Sequence, residues 1–365
     1  MPEGSHQERI MNRKGVSYDV GSVMGFNWRP SFKPEEVRRE LQIIKEDLHC
    51  NAVRISGQDI ARLTIAAQYA VEQGLEVWFY PTMWDRSPEE TLQYLVRAAR
   101  AAEEVRQLGK DQVVFVAGGE LTLFMRGILE GGSFRARLAN PSFVTKVKAG
   151  DHNKPLNEFL TRANEAVRSV FHGKVTYASL VWEKVDWSLF DFVGVDHYRE
   201  TKMADQYVPM LEPSFKQGKP VVVTEFGCAT TRGGIGDVGL LRSTAGLEKG
   251  IINEYSQFFH YKLPVLGRLV RPSLNGNHVR DEAWQAKELV ETLEILDAAK
   301  VDGAFVSTFL SQITPYGDTP RYDLDMASSS LVKYYEDGRR GTKYPDMPWE
   351  PKESFKAVAA FYANH

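Results

Sequence analysis

Two glutamates carry the clearest chemical potential in this chain, because each one ends a continuous apolar run. The run of residues 113–119 leads directly to Glu120. The run of residues 221–224 leads in the same way to Glu225. Runs of this length that are rich in β-branched residues are typical of strands buried on both faces of a parallel sheet. In a (β/α)8 barrel the carboxyl ends of such strands form the catalytic face. Glycoside hydrolysis needs two carboxyl groups across one cleft, so we predict Glu225 as the nucleophile and Glu120 as the general acid and base.

The rest of the chain must supply the elements that position this pair, and strand-like and helix-like segments alternate along almost all of it. The predicted strands cover residues 16–20, 51–55, 75–80, 113–119, 175–180, 192–196, 221–224 and 303–309. The predicted helices cover residues 33–47, 59–73, 87–108, 156–171, 281–300 and 354–362. This alternation predicts an α/β fold, a (β/α)8 TIM barrel that forms a single catalytic domain over residues 1–365. A doubly wound open sheet is the alternative, but residues 21–25 lack the Gly-rich phosphate loop expected after its first strand.

Two long insertions interrupt the alternation, at about residues 121–150 after strand four and 228–279 after strand seven. Long loops on the catalytic face of a barrel usually determine specificity. Their aromatic side chains predict packed elements that line the cleft: Phe124, Phe134, Phe143, Tyr255, Phe258, Phe259 and Tyr261. We therefore expect walls that narrow the cleft and favour removal of a terminal sugar.

Further polar residues follow strands two and six. Arg54 stands inside an apolar strand, where an unpaired charge is costly to bury. We expect it to point into the barrel mouth and keep the nucleophile ionised, with a purely structural ion pair as an equal alternative. Tyr198 is predicted to donate its hydroxyl to the nucleophile, and Asp196 to fix a neighbouring side chain or contact substrate. His197 is predicted to hold a sugar hydroxyl, with a packed, hydrogen-bonded histidine as the alternative.

Aromatic and acidic residues also follow strands three and five. Flat aromatic rings complement the apolar faces of sugars, so Trp84 and Trp182 are predicted substrate contacts. Asp85 and Glu183 adjoin them and are predicted to hydrogen-bond sugar hydroxyls. Glu183 is also the alternative acid/base residue if Glu120 proves misplaced.

Composition and charge disfavour several function classes. The formal net charge of −3 and the pI of about 6.3 give no reason to expect nucleic acid or an anionic membrane as a partner. Neither a membrane span nor a secretory signal is visible, so a cytoplasmic protein is expected. Cys50 and Cys228 are predicted as buried free thiols. No metal-ligand spacing occurs, and neither a metal nor a cofactor is expected. The sequence does not indicate an oligomeric state.

Together these motifs resemble the clan A glycoside hydrolases, (β/α)8 enzymes whose catalytic glutamates end strands four and seven. The similar segments are Arg54, Glu120, residues 193–198 (VGVDHY) and residues 219–227 (KPVVVTEFG). The last is the most specific, because it looks like the nucleophile strand of the clan. Residues 175–194 and Trp284-Gln285-Ala286 resemble the endo-β-mannanase-like branch. The resemblance covers residues 16–312 and implies a carbohydrate substrate.

Two positions depart from the clan pattern. The clan usually has Asn before the acid/base residue, where it holds the sugar 2-hydroxyl, and here that position is Gly119. This departure favours a modified sugar, an unusual linkage or lost activity. The clan also usually has Trp at the end of strand eight, under the reacting sugar. Phe305 and Phe309 are the nearest aromatic residues here, and Phe309 is the predicted substrate contact.

Three function classes follow from these observations. The preferred one is a retaining β-glycosidase that acts on a small glycoside or oligosaccharide by double displacement. An endo-acting mannanase-type hydrolase is its variant with an open groove. A barrel that binds carbohydrate without cleaving it would hold its carboxylates too far apart or behind the long loops. A lyase or isomerase would use Glu225 as a base and requires a phosphate or metal site, for which the sequence shows no ligand set.

Overall fold

Eight parallel strands close into a barrel in the computed structural model of this chain. The structure describes residues 11–23, 26–27, 29–109, 112–232, 252–253 and 270–365. The barrel strands are β1 (Arg13–Asp19), β2 (Ala52–Gly57), β3 (Glu76–Pro81), β4 (Val113–Gly119), β5 (Lys174–Leu180), β6 (Val193–Asp196), β7 (Val221–Phe226) and β8 (Gly303–Val306). The barrel closes because Val16 in β1 pairs with Val53 in β2 and with Val306 in β8. The predicted (β/α)8 TIM barrel and its eight strands are confirmed, although β8 ends three residues earlier than expected.

Apolar side chains fill the inside of the barrel, as its continuous apolar strand sequences require. This inner core consists of Ala52, Trp78, Tyr80, Val114, Val116, Ala178, Phe192, Val222 and Phe305. Gly15 is needed beside it, because a Cβ atom there would lie 2.3 Å from the Phe305 ring. Above this core, the carboxyl ends of the strands are where a barrel forms its site.

Helices surround the strands and pack on a second, larger apolar core. They are α1 (Pro34–Glu46), α2 (Ile60–Glu72), α3 (Pro88–Leu108), α4 (Leu121–Phe124), α5 (Phe134–Leu138), α6 (Phe143–Ala149), α7 (Asn153–Arg168), α8 (Glu212–Phe215), α9 (Glu282–Ala298) and α10 (Glu353–Asn364). The six predicted helices correspond to α1, α2, α3, α7, α9 and α10. Side chains at their starts explain several boundaries: Asp59 caps α2, and Ser87 forms a capping box with Glu90 at α3.

Two connections lack the long helix that a regular barrel would have. The β5–β6 connection contains only the 3-10 turn Trp187–Leu189 among its described helical elements. The β6–β7 connection contains the 3-10 segments Thr201–Gln206 and Pro209–Leu211 followed by the short α8. The remaining described elements are the 3-10 segments Pro320–Tyr322 and Leu324–Ala327 and two small antiparallel sheets, Ser22–Val23 with Phe26–Asn27 and Val332–Tyr334 with Trp349–Pro351.

The first insertion, residues 121–150, is packed against the barrel, as its apolar content predicts. It contains α4, α5 and α6, and its Leu123, Phe124 and Phe134 are buried together. The fully buried Arg137 donates to the Leu123 carbonyl at 2.6 Å and forms an ion pair with Asp85 at 2.5 Å. This pair joins the insertion to the loop after β3. Asp85 was predicted to hydrogen-bond a sugar hydroxyl, and in the structure its carboxylate is instead paired with Arg137.

Most of the second insertion, including its four predicted aromatic residues Tyr255, Phe258, Phe259 and Tyr261, lies outside the described residues. Thr231 and Arg280, near its two ends, form an antiparallel bridge. Beside this bridge lies a group of buried charges that we name the Arg280 cluster: Arg280, Glu282, Asp323, Asp325 and Lys352. That this insertion walls the cleft stays a prediction.

Candidate active site

The carboxyl ends of the strands bring together a compact group of polar side chains, which we name the mouth cluster. Its members are Asp19 (β1), Arg54 (β2), Tyr80 (β3), Glu120 (after β4), Asp196 (β6) and Glu225 (β7). The strands are irregular at this level, with pairing shifts between Val195 and Asp196 and between Val116 and Gly119. Bulges of this kind often redirect side chains beside active sites.

Glu225 is held at the centre of the mouth cluster by two donors. Arg54 donates to its Oε1 at 2.5 Å, and the Tyr198 hydroxyl donates to its Oε2 at 2.9 Å. Both contacts were predicted from the sequence. The Glu225 side chain is 25% exposed, whereas that of Arg54 is 1% exposed. The carboxylate is therefore fixed in orientation and still reachable from solvent.

Arg54 is the cation of the mouth cluster, and Glu225 is the carboxylate that it contacts directly. Burial alone would lower its pKa, but the charges of Glu225 and Asp196 raise the pKa of Arg54 above its ordinary value. Its guanidinium lies 4.1 Å from the centre of the Tyr80 ring. Its Nε and Nη2 atoms are buried without a hydrogen-bond partner among the described residues. Arg54 thus stays charged and retains donors beyond the one used by Glu225.

Glu120 is the first residue beyond β4 and has an unusual backbone. Its φ of 48° and ψ of 38° are left-handed, which is uncommon for a residue other than glycine. Strained backbone of this kind often occurs at functional sites. Its carboxyl group has no hydrogen-bond partner among the described residues, and the side chain is 8% exposed. Burial, followed by the charges of Asp196 and Glu225, raises the pKa of Glu120 well above its ordinary value, in the direction that favours the protonated form.

Asp196 adds a third carboxyl group to the mouth cluster. It accepts a hydrogen bond from the Thr224 hydroxyl at 2.6 Å and is 5% exposed. Burial and the charge of Glu225 raise the pKa of Asp196 to about 8, against the opposite effect of Arg54. The prediction that Asp196 fixes His197 or Tyr198 receives no support from its hydrogen bonds, whereas a substrate contact remains a proposal.

Two members of the mouth cluster were missed from the sequence. Asp19 accepts hydrogen bonds from Ser56 and, at 3.1 Å, from Thr308, and burial raises its pKa to about 6. Tyr80 lies 8% exposed beside Gly119. Both end apolar strand segments, which is the same signal that identified the two glutamates.

Glu183 is not placed as the sequence predicted. Its carboxylate accepts hydrogen bonds from the Leu180 amide at 2.9 Å, the Thr122 amide at 3.2 Å and the Tyr177 hydroxyl at 3.1 Å. Burial raises the pKa of Glu183, although these donors act against the shift. The side chain therefore joins the loops after β4 and β5, and its oxygens are already occupied. It is neither a free sugar ligand nor an accessible acid/base residue.

His197 also differs from the preferred expectation. It follows Asp196, the last residue of β6. Its Nε2 lies 2.7 Å from the Tyr207 carbonyl, its ring stacks on Tyr207 at 4.1 Å, and only 4% of it is exposed. Burial lowers its pKa. His197 is thus the packed, hydrogen-bonded histidine that was the alternative.

The predicted aromatic contacts divide into two groups. Trp84 stacks on Phe124 at 3.6 Å, and Trp182 meets His152 edge-on at 5.0 Å. Both tryptophans remain partly exposed against the first insertion, so both stay candidates for substrate contact. Phe309, by contrast, is fully buried against Tyr18 and Trp349 and offers no face to a sugar.

The described residues contain no group of three or more His, Cys, Asp and Glu side chains arranged to hold a metal ion. None of the helices within these ranges is both long and apolar enough to cross a membrane.

Comparison with solved structures supports the barrel fold. No family model matches the chain, and no curated protein matches it. A solved GH113 β-1,4-mannanase is 15% identical with a TM-score of 0.57, covering 98% of this chain and 100% of that one. The GH113 β-mannanase of Alicyclobacillus acidocaldarius is 13% identical with a TM-score of 0.53, covering 96% and 97%. A glycoside hydrolase family 5 enzyme of Prevotella bryantii is 11% identical with a TM-score of 0.51, covering 99% of both chains. The chain therefore has the fold of the clan A glycoside hydrolases.

Proposed function

We propose that this chain is a retaining β-glycosidase that acts on a small glycoside or oligosaccharide. The observation that carries the proposal is the contrast between two glutamates in one mouth. Glu225 is ion-paired with Arg54 and hydrogen-bonded by Tyr198, which suits a nucleophile. Glu120 is buried, without a hydrogen-bond partner among the described residues, and has a raised pKa, which suits a general acid.

The proposed reaction has two displacements. In the first, Glu225 attacks the anomeric carbon, the bond to the leaving oxygen breaks, and Glu120 gives its proton to that oxygen. The resulting ester removes the negative charge of Glu225, which is one of the charges that raise the pKa of Glu120. The pKa of Glu120 then falls, so the carboxylate left after the first proton transfer stays ionised and can accept a proton. In the second displacement it takes a proton from water, which attacks the anomeric carbon and releases Glu225.

The substrate class follows from the surroundings of the mouth cluster. Leu123, Phe124 and Phe134 of the first insertion pack together with Trp84 and Trp182, which follow β3 and β5. We expect this group to form a wall on one side of the mouth. Such a wall favours a short substrate whose ring lies against an aromatic surface. The similar solved proteins include β-mannanases and a Ruminococcus gnavus β-glucuronidase, whose chain is about twice as long as the part matched here. An endo-acting mannanase-type hydrolase is the second candidate, favoured by the full-length similarity to the GH113 enzymes.

A panel of 2-deoxy-2-fluoro glycosyl fluorides tests the proposal. The fluorine slows breakdown of the ester, so the glycosylated enzyme accumulates and mass spectrometry of peptides locates the label. We expect one added sugar on Glu225 and none on the Glu225→Gln variant, and the sugar that reacts identifies the substrate class. A barrel that only binds carbohydrate would bind a sugar without labelling. Label on any other carboxylate would overturn the assignment of the nucleophile, and a lyase or isomerase would neither bind nor react.

A further inference from the structure

Tyr80 is a buried tyrosine whose hydroxyl lies within the mouth cluster. Its ring covers the Arg54 guanidinium, which holds the ring in place at 4.1 Å. The charges of Arg54, Asp196, Glu225 and Glu120 all act on its hydroxyl. No described residue forms a hydrogen bond with this hydroxyl, and its oxygen is not among the fully buried unpartnered side-chain atoms, although the side chain as a whole is only 8% exposed. The hydroxyl can therefore donate to a molecule bound in the mouth.

The neighbouring Gly119 explains how the hydroxyl comes to lie there. A Cβ atom built at Gly119 would be 2.3 Å from the Tyr80 hydroxyl oxygen and 2.9 Å from its Cζ. A residue with any side chain at position 119 would therefore displace the tyrosine. Gly119 directly precedes Glu120 in the chain, so the absent side chain leaves the tyrosine hydroxyl beside the acid/base candidate. The two positions act as one unit, in which a side chain from β3 fills the space that the end of β4 leaves empty.

We propose that the Tyr80 hydroxyl donates a hydrogen bond to the substrate hydroxyl on the carbon next to the reacting carbon. This proposal rests on the proposed function. The reacting carbon lies between Glu225 and Glu120, so a donor beside both faces the adjacent carbon and its 2-hydroxyl. Contacts to this hydroxyl strengthen in the transition state of glycoside hydrolysis. Tyr80 and Gly119 together would thus select substrates that carry a 2-hydroxyl.

The Tyr80→Phe variant tests this role, because it removes the hydroxyl and keeps the ring that covers Arg54. It is assayed on matched aryl glycosides of the sugar that labels the wild type, one with the 2-hydroxyl and one 2-deoxy. We expect kcat/KM to fall roughly 10- to 100-fold on the first and less than about threefold on the second. Tyr362→Phe is the matched control, because that buried tyrosine donates to the Gly15 carbonyl at 2.9 Å, at the opposite end of the barrel. It should treat both substrates as the wild type does.

Calorimetry supplies a readout that does not depend on turnover. A deoxynojirimycin-type iminosugar keeps the 2-hydroxyl, whereas an isofagomine-type iminosugar lacks it. Tyr80→Phe should weaken binding of the first and leave binding of the second unchanged. Gly119→Ala, which must push the tyrosine aside, should show the same selectivity and serves if Tyr80→Phe folds poorly. Equal losses on both members of each pair, or no loss, would overturn the role of Tyr80 alone. A wild type that neither cleaves nor binds any of these sugars would overturn the proposed function as well.

Discussion

The mouth cluster and the Arg280 cluster both bury charges, but they balance them differently. In the mouth cluster, four carboxyl groups lie near the cation Arg54, namely Asp19, Glu120, Asp196 and Glu225, but Glu225 is the one that forms an ion pair with it. In the Arg280 cluster, Arg280 contacts Glu282, Asp323 and Asp325 at 2.8–2.9 Å, and Lys352 contacts Asp325 at 2.8 Å. Three of the four mouth carboxyls therefore have no direct ion pair with Arg54, whereas each acid of the Arg280 cluster contacts a cation.

This difference distinguishes a candidate active site from a structural ion-pair network. Buried ion pairs that are fully hydrogen-bonded hold segments together and add little that a ligand could use. Unbalanced buried carboxyls cost stability, and the cost is retained where a reaction needs protonated and ionised groups side by side. The same kind of substitution should therefore affect activity in the mouth cluster and stability in the Arg280 cluster.

The largest effect is expected for Glu225→Gln. Removing the nucleophile should lower kcat by at least about 10⁴-fold, because the covalent step has no substitute group. The melting temperature should stay the same or rise, since the variant removes one charge from an acidic mouth. Glu282→Gln is the matched control in the Arg280 cluster, and it should lower the melting temperature while the folded enzyme keeps its kcat. Activity above a few per cent in Glu225→Gln would contradict the assignment.

Glu120→Ala should produce the next largest effect, a loss of roughly 10²- to 10⁴-fold on substrates with poor leaving groups. Substrates with activated leaving groups need no protonation, so their loss should be smaller, and added azide should restore turnover by attacking the intermediate. Glu183→Ala is the comparison, because the Glu183 carboxylate accepts hydrogen bonds from two backbone amides and one side-chain hydroxyl and so has a structural role. It should lower the melting temperature without azide rescue. Rescue of Glu183→Ala alone would move the acid/base role to that residue.

Asp325→Asn should instead act on stability. Asp325 is fully buried and accepts from both Arg280 and Lys352, so the variant leaves two cations with a weaker partner. A buried ion pair broken on one side typically costs about 3 kcal/mol or more in the free energy of unfolding. Urea unfolding monitored by circular dichroism measures this loss. The kcat of the folded fraction should equal that of the wild type, and a selective loss of kcat would show that the two clusters are not independent.

The sequence predicted Arg54, Glu120 and Glu225 from local patterns in their strands and missed the pairing of Tyr80 with Gly119. Glu120 and Glu225 could be found because an apolar run and a terminal carboxylate are local features. The pairing of Tyr80 with Gly119 depends on how β3 and β4 lie side by side, which no local pattern contains. Glu183 was misassigned because its partners are backbone amides of Thr122 and Leu180.

Other outcomes follow from equally specific causes. His197 lies just beyond β6, and its packing on Tyr207 depends on the segment that follows the strand. Phe309 lies three residues beyond the end of β8, so its burial against Trp349 follows from the C-terminal segment and not from the barrel strand. The Arg280 cluster joins residues that are far apart in the chain, and no spacing in the sequence indicates it.

The remaining effect concerns the pH dependence of stability, and it distinguishes Asp196 in the mouth cluster from Asp281, an acid outside both clusters. The pKa of Asp196 is raised to about 8, so between roughly pH 4 and 8 the folded protein binds a proton that the unfolded chain lacks. The stability of the wild type should therefore fall as pH rises through this window. Asp196→Asn cannot ionise, so its advantage over the wild type in the free energy of unfolding should grow by at most about 1.4 kcal/mol per pH unit as pH rises, and level off above about pH 8.

Asp281→Asn is the control of opposite sign, because hydrogen bonding to Arg232 lowers the pKa of Asp281. Its carboxylate stabilises the fold above about pH 4 and loses this effect as pH falls below that value. The loss in free energy of unfolding caused by Asp281→Asn should therefore be constant from pH 5 to 8. Urea titrations of all three proteins across this range measure both slopes, and a flat difference for Asp196→Asn would mean that Asp196 is already ionised at pH 5.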